Sequence, residues 1–199
     1  MKLIQRNFFK KQTIELNDSK IHISTNFFGN KNEFDIYYKS IYPNKYEIKK
    51  NNFILFGLSA FFYLLAGAVY YWRFVDNDKT IEEEAFIIWF IIATTSLFVA
   101  LNSTEKYWKI NIANNQFIKI FKNSPNKEEV NKFIDELFEK RNHNLKSLYG
   151  HINSNLNYEN QYNNFLWLQN MEVISNKEFE DKLNELNSIF GKQTNKIGF

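Results

Sequence analysis

Residues 53–101 read FILFGLSAFFYLLAGAVYYWRFVDNDKTIEEEAFIIWFIIATTSLFVAL, two charge-free apolar runs separated by an acidic segment. The first, Phe53 to Phe74, carries no charge until Arg73, and at about 1.5 Å per helical residue it crosses a hydrocarbon core of roughly 30 Å. The second, Ala85 to Leu101, has no charge and lies at the short end of the spanning range, so snorkelling flanks or slight thinning of the bilayer are expected. A core helix would present a polar face, and neither run has one. The expectation is a transmembrane hairpin over 53–101 with its loop at 75–84, and a lipid bilayer as the first partner.

The flanks orient it. The loop VDNDKTIEEE holds five acidic residues against Lys79, whereas Lys45, Lys49 and Lys50 precede the first span and Lys106 and Lys109 follow the second. Lys and Arg stay on the cytoplasmic side, so both termini are expected there and the acidic loop outside. Tyr70, Tyr71 and Trp72 at the end of the first span and Trp89 at the start of the second are expected at one interface. Gly57, Ala60 and Gly67 share a face of the first helix, and Ala93, Ser96 and Ala100 recur on the second. That spacing allows close helix packing, within or between chains, and is equally what chance gives in an apolar helix.

Outside the hairpin the character changes. The 199 residues have a net charge of +3, no Cys and three His, and Arg occurs only as Arg6, Arg73 and Arg141. The weak basic balance argues against a nucleic-acid partner. The absence of Cys excludes disulfides, thiolate metal sites and a cysteine nucleophile. The basic amino terminus MKLIQRNFFKKQTIEL lacks the unbroken apolar core of a signal peptide and is read as retained.

Residues 12–50 alternate apolar and polar side chains in QTIELN, KIHIST, EFDIYYK and KYEIKK, with Asn17-Asp18, Gly29-Asn30 and Pro43-Asn44 as turns. After the hairpin, YWKINIA and QFIKIF flank Asn114-Asn115, a pair suited to the positive φ values of a tight turn. Neither group of strands is large enough to stand alone, so the two are expected to pair across the inserted hairpin. Ser124-Pro125 is read as the N-cap and first residue of a helix whose stripe is Val130, Phe133, Ile134, Leu137 and Phe138.

This order, strands followed by IKIFKNSPNKEEVNKFIDEL running into one helix, resembles a bacterial pleckstrin-homology-like domain over residues 12–141. The resemblance implies a small antiparallel β-sandwich or barrel capped by one helix, split by the hairpin into 1–52 and 102–141, and placed in a bacterial cytoplasmic membrane. Relatives that bind inositol phosphates use clustered Lys and Arg in the first strand pair. Here Lys20 and Lys31 stand amid Asp18, Glu33 and Asp35, so that function is not carried over. Residues 142–161 are Asn-rich and weakly periodic and are read as a linker.

The tail, FLWLQNMEVISNKEFEDKLNELNSIF, resembles a SHOCT helical hairpin over 162–191. Val173, Ile174, Ser175, Glu178, Phe179, Glu180, Lys182 and Leu186 match its pattern, and Glu172 stands where that family usually has Gly. Ser175 and Glu178 also make a capping box. A helix pair this small needs a partner to bury its apolar side, in this chain or in another protein.

Chemistry-bearing constellations are sparse. His22, His143 and His151 show no metal-ligand spacing. Glu82, Glu83 and Glu84 read as a topology signal before the second span. No Gly-rich phosphate loop or Gly-x-Ser-x-Gly elbow occurs. No catalytic, cofactor-binding or metal-binding residue and no cofactor are assigned, and the chain is not expected to be an enzyme. Within the spans only Ser59, Tyr63, Thr94, Thr95 and Ser96 are polar, and their hydroxyls are expected to bond back to helix carbonyls. The leading expectation is a membrane-anchored interaction protein whose PH-like domain stays close to the bilayer and whose tail reaches for a protein partner. The alternative is a homo-oligomeric, membrane-active effector, pore-forming or toxin- or defence-related, with the soluble domain as sensor.

Overall fold

The computed structural model describes residues 1–7 and 10–194. The chain divides into two compact units, Met1–Tyr46 with the chain from Trp108 onward, and Glu47–Tyr107. In the first unit, β1 (Lys2–Asn7), β2 (Lys10–Leu16), β3 (Lys20–Phe27) and β4 (Asn30–Tyr37) form an antiparallel meander in that order. A second sheet takes β5 (Ile41–Lys50) from before the apolar helices and β6 (Glu105–Ile112) and β7 (Gln116–Phe121) from after them, in the order β5-β6-β7. The two halves of the sequence therefore complete one sheet, as the strand count required.

Period-two alternation explains which faces are buried. Leu3, Ile14, Leu16, Ile21, Ile23 and Ile36 from the first sheet meet Ile41, Ile110, Ile112, Ile118 and Ile120 from the second. The stripe Val130, Phe133, Ile134 and Leu137 of α3 (Lys127–Tyr149) completes this core. Outward side chains pair across strands, Lys2 with Glu15 and Lys20 with Asp35, and along β4, Lys31 with Glu33, each at 2.6 Å. Lys20, then His22, hold the Asp35 carboxyl below its ordinary range. Tyr38 is buried between the sheets and donates its hydroxyl to Asn17 O at 2.7 Å. Burial pushes that hydroxyl up to about 12.

Two buried glutamines close the sandwich. Buried Gln5 donates to Phe121 O at 2.8 Å and accepts from Phe121 N at 2.9 Å, serving β7 as a substitute strand. Gln12, also buried, donates to Lys119 O at 2.7 Å. Ser124 does the same for β1, its hydroxyl accepting from Arg6 N at 2.8 Å and donating to Arg6 O at 3.0 Å.

Several sequence expectations change here. The sheet begins at Lys2, ten residues before the first expected strand. Pro43-Asn44 is no turn: β5 runs through it, and the break falls in a 3-10 turn at Tyr38–Ser40. The tight turn before β4 centres on Phe28-Gly29, with φ of +48° and +87°, and not on Gly29-Asn30. Ser124 does not cap α3, because Arg6 takes its hydroxyl; Asn126 is the N-cap and accepts from Glu129 N at 2.9 Å. Asn114-Asn115 behaves as expected, with φ of +61° and +56°.

The largest difference lies in 142–161. Instead of a linker beginning at 142, α3 continues to Tyr149, and only residues 150–157 connect it to α4 (Tyr158–Asn170) and α5 (Asn176–Thr194). Leu145 on this extension is buried with Phe165, Leu168, Met171, Val173, Ile174 and Leu186, and Trp167 packs edge-on against Tyr149 at 5.2 Å. The tail's apolar side thus finds its partner within the chain. The expected capping box is present: Glu178 N donates to Ser175 Oγ at 3.2 Å, and Ser175 N donates to Glu178 Oε2 at 2.9 Å.

Glu172, in the turn between α4 and α5, adopts φ +55°, so this left-handed position is held by a residue with a Cβ. A non-glycine residue in that region costs about 1–2 kcal/mol, partly offset by glycine's greater freedom when unfolded. Glu172→Gly is therefore expected to stabilise the α4–α5 pair by about 1 kcal/mol, read as a raised unfolding midpoint. A lowered midpoint would show that the Glu172 side chain contributes more than its strain removes.

Candidate functional site

The second unit is dominated by α1 (Phe53–Tyr70) and α2 (Ala85–Asn102), packed against each other. The helix of α1 continues with π-type hydrogen bonding over Tyr71–Val75. The first span is 23 residues with mean hydropathy 2.0, the second 18 with 2.1, and only 11% of each is buried. Both helices are long and apolar enough to cross a membrane. Their exposure separates them from the core helix of a soluble protein, which hides its apolar surface.

Asn52 caps α1, its side chain accepting from Leu55 N at 3.4 Å. The helix interface uses Ser59 and Ala66 of α1 against Ala93 and Ala100 of α2, all buried. Gly57, Ala60 and Gly67 face outward instead, and a methyl group added at either glycine would meet nothing within 4 Å. Seven-residue spacing at 59/66 and 93/100 places one small side chain per two turns on the contact line, which lets the backbones approach.

The hydroxyls divide their roles. Thr94 bonds back to Phe90 O at 2.8 Å as expected, but Ser59 donates across the interface to Ala93 O at 3.0 Å, and Tyr63 bonds Thr94 Oγ1 at 3.1 Å. Trp89 stacks on Phe62 at 5.9 Å. Phe62 lies eight residues from Tyr70, about 12 Å along the helix, so Trp89 is level with the middle of α1 and not with the Tyr70–Trp72 cluster. At the hairpin's loop end Tyr70, Phe74 and Phe86 pack mutually at 5.0–5.6 Å. Arg73 there pairs with Glu83 at 2.6 Å. In the loop, Thr80 donates to Asp78 through both its N–H and its hydroxyl, which lowers the Asp78 carboxyl.

In the first unit, Arg141 is fully buried. Its Nε donates to Ile41 O at 2.7 Å, its Nη2 to Met171 O at 3.1 Å and its Nη1 to the Asn142 side chain. One guanidinium thus joins α3, the first residue of β5 and the end of α4. Burial pushes it down to about 10, so the charge persists at neutral pH. Sequence reasoning passed over Arg141; its signal was its rarity, one of three arginines in a lysine-rich chain.

A second tie to the tail is the pair Lys146–Glu178. Lys146, then the Ser175 backbone, hold the Glu178 carboxyl below its ordinary range. A lowered folded-state value contributes stability that is present above the unfolded-state pKa and is lost as pH falls through the folded value. The difference in thermal unfolding between wild type and Glu178→Gln is expected to be largest near neutrality and to close in acid. A difference independent of pH would remove the ion pair from the account.

His22 lies on the outer face of the first sheet with Asp35 at 2.9 Å and Glu33 at 3.9 Å, His143 borders a polar groove beside α3 with Asp18 and Glu139, and His151 is exposed in the connection. The structure does not bring the three together. Among the described residues no group of His, Cys, Asp and Glu is arranged to hold a metal ion. Glu82–Glu84 are exposed before α2, Glu83 on Arg73. No protein-family model, curated protein or solved structure matches the chain.

Proposed function

We propose that the chain is a non-enzymatic, membrane-anchored adaptor that presents a folded domain and its carboxy-terminal helices to a protein partner. The observation that carries this reading is the insertion of an exposed apolar hairpin between neighbouring strands of one sheet. Only Asn51-Asn52 and Ser103-Thr104 separate α1 and α2 from β5 and β6, so a spanning hairpin tethers the domain by two short connections. Two antiparallel sheets closed by α3 are compatible with the small helix-capped sandwich that the PH-like resemblance implies, and support this reading without naming the family. The charge asymmetry of the flanks favours a cytoplasmic domain with the acidic loop outside, and the bacterial inner membrane is what the PH-like resemblance implies.

The chain has no Cys, so single cysteines at Asn77, Asn114 and Asn176 report topology directly with an impermeant thiol reagent on intact cells. Labelling at Asn77 alone is expected. Labelling at Asn114 and Asn176 but not Asn77 would invert the orientation, and labelling at no site would remove the membrane span.

A second reading is favoured by one observation: Gly57, Ala60 and Gly67 are left facing outward after the hairpin has packed on itself. Such a face suits helix association between copies, as in a homo-oligomeric membrane-active effector. A defined oligomer in detergent that Gly57→Leu dissolves, with ion leakage on expression, would select this reading over the adaptor.

A further inference from the structure

The turn joining β3 to β4 has an unusual occupant. Phe28 and Gly29 both have positive φ, and Gly29 N donates to Asn26 Oδ1 at 3.0 Å. The first position of such a turn favours Asn, Asp or Gly, since a bulky side chain is sterically disfavoured in the left-handed region. This chain uses the favoured chemistry at Asn114-Asn115, yet places a phenylalanine here. Phe28 is 64% exposed and Phe27 54%, their rings edge to face at 4.7 Å, and Phe34 on the same hairpin is 48% exposed. A strained residue that exposes a large apolar ring points to function rather than stability.

Topology places this turn. The registers Asn7↔Lys10 and Lys10↔Phe27 put the β3–β4 turn at the same end of the first sheet as the β1–β2 connection. Lys10 lies over Phe121 at the end of β7, and Lys122 lies over Trp108, where the chain returns to this unit from α2. The exposed phenylalanines therefore occupy the end of the domain at which the chain leaves for the apolar hairpin and comes back. Arg6 and Lys11, exposed cross-strand partners at that end, form no ion pair among the described residues.

We propose that the β3–β4 turn is a second membrane contact, its Phe27 and Phe28 rings seated in the interfacial layer of a bilayer whose anionic headgroups Arg6 and Lys11 attract. The inference rests on reading α1–α2 as a membrane anchor. Exposed Phe side chains bury into the boundary between headgroups and acyl chains, and cations near a negative leaflet add to the attraction. An anchored hairpin also raises the local concentration of bilayer at this end, so two rings suffice where an untethered domain would need more.

The test uses the full chain in vesicles of phosphatidylcholine with or without phosphatidylglycerol. An environment-sensitive fluorophore is placed on Asn30→Cys beside the rings, on Lys39→Cys at the other end of β4, or on Ile91→Cys within α2, and is quenched by lipids with a nitroxide near the headgroup or along the chain. Quenching is expected at Asn30, strengthened by phosphatidylglycerol, and at Ile91, but not at Lys39. Phe27→Ser with Phe28→Ser should abolish it at Asn30 and leave Ile91 unchanged. Arg6→Glu with Lys11→Glu, which spares the turn, should remove the phosphatidylglycerol dependence alone. Quenching at Ile91 without any at Asn30 overturns the inference while the anchor stands; absence at Ile91 fails the anchor itself. A blue shift at Asn30 that is unquenched and vanishes on dilution with lipid would assign the rings to a second copy of the chain, and so overturns the membrane assignment too.

Discussion

Arg141→Ala is expected to lower the unfolding free energy by about 2–6 kcal/mol, because two carbonyls lose their donor at about 1–3 kcal/mol each. Among the described residues the guanidinium hydrogen-bonds no carboxylate and is held by the carbonyls of Ile41 and Met171 and the side chain of Asn142. Its removal leaves a cavity and two carbonyls without their donor, each worth about 1–3 kcal/mol if buried and unpaired. Arg141→Met should recover part of the loss by filling the space, and Arg141→Lys should fall short of wild type because one ammonium cannot reproduce the planar fork. The bond to Met171 also predicts where the loss shows first. Protease sites in 150–157 should open in Arg141→Ala and release α4–α5 before the sheets unfold. Intact resistance of that connection in the variant would mean that the apolar cluster around Leu145 holds the tail unaided.

Gln5→Leu is expected to cost about 2–4 kcal/mol, because the N–H and C=O of Phe121 each lose a buried partner. The isosteric change Gln5→Glu should be worse near neutrality. A carboxylate can still accept from Phe121 N, but it has no proton for Phe121 O and its charge is buried. The two substitutions therefore separate in opposite order to their similarity in shape, and acid pH should rescue the glutamate variant only. Equal midpoints for all three proteins would show that water replaces the amide without loss.

These two residues also mark where sequence reading stopped. The apolar runs were legible because 20 and 17 residues without charge have few alternatives, and the strands because QTIELN and KIHIST of the first sheet and QFIKIF of the sheet shared by the two halves mostly alternate. Strand β1 was not, since KLIQRN buries Gln5 and leaves Ile4 43% exposed, reversing the polarity that marks a strand face. The extension of α3 hid for a similar reason: its inward positions include Arg141, and its Asn-rich surface imitates a linker. Small residues at helical spacing were visible on both spans, but 57/60/67 and 59/66 are equally regular, and only the partner helix decides which line is buried. Glu172 shows the converse, a left-handed position that the residue type did not announce.

Placing α1 and α2 between β5 and β6 has a consequence for biogenesis. During synthesis β5 emerges with one edge lacking its neighbour, and about fifty-five more residues must be made before β6 can fill it, roughly 3–11 s at about 5–20 residues per second. Insertion of the apolar segments can be complete within that interval. A paired hairpin then returns the chain to within reach of β5, whereas a free loop of that length would carry a closure entropy that grows with the logarithm of its length. On the proposed membrane reading, maturation of the domain is ordered behind bilayer insertion, and a nascent chain that failed to insert would keep an unfilled strand edge on view to chaperones and proteases.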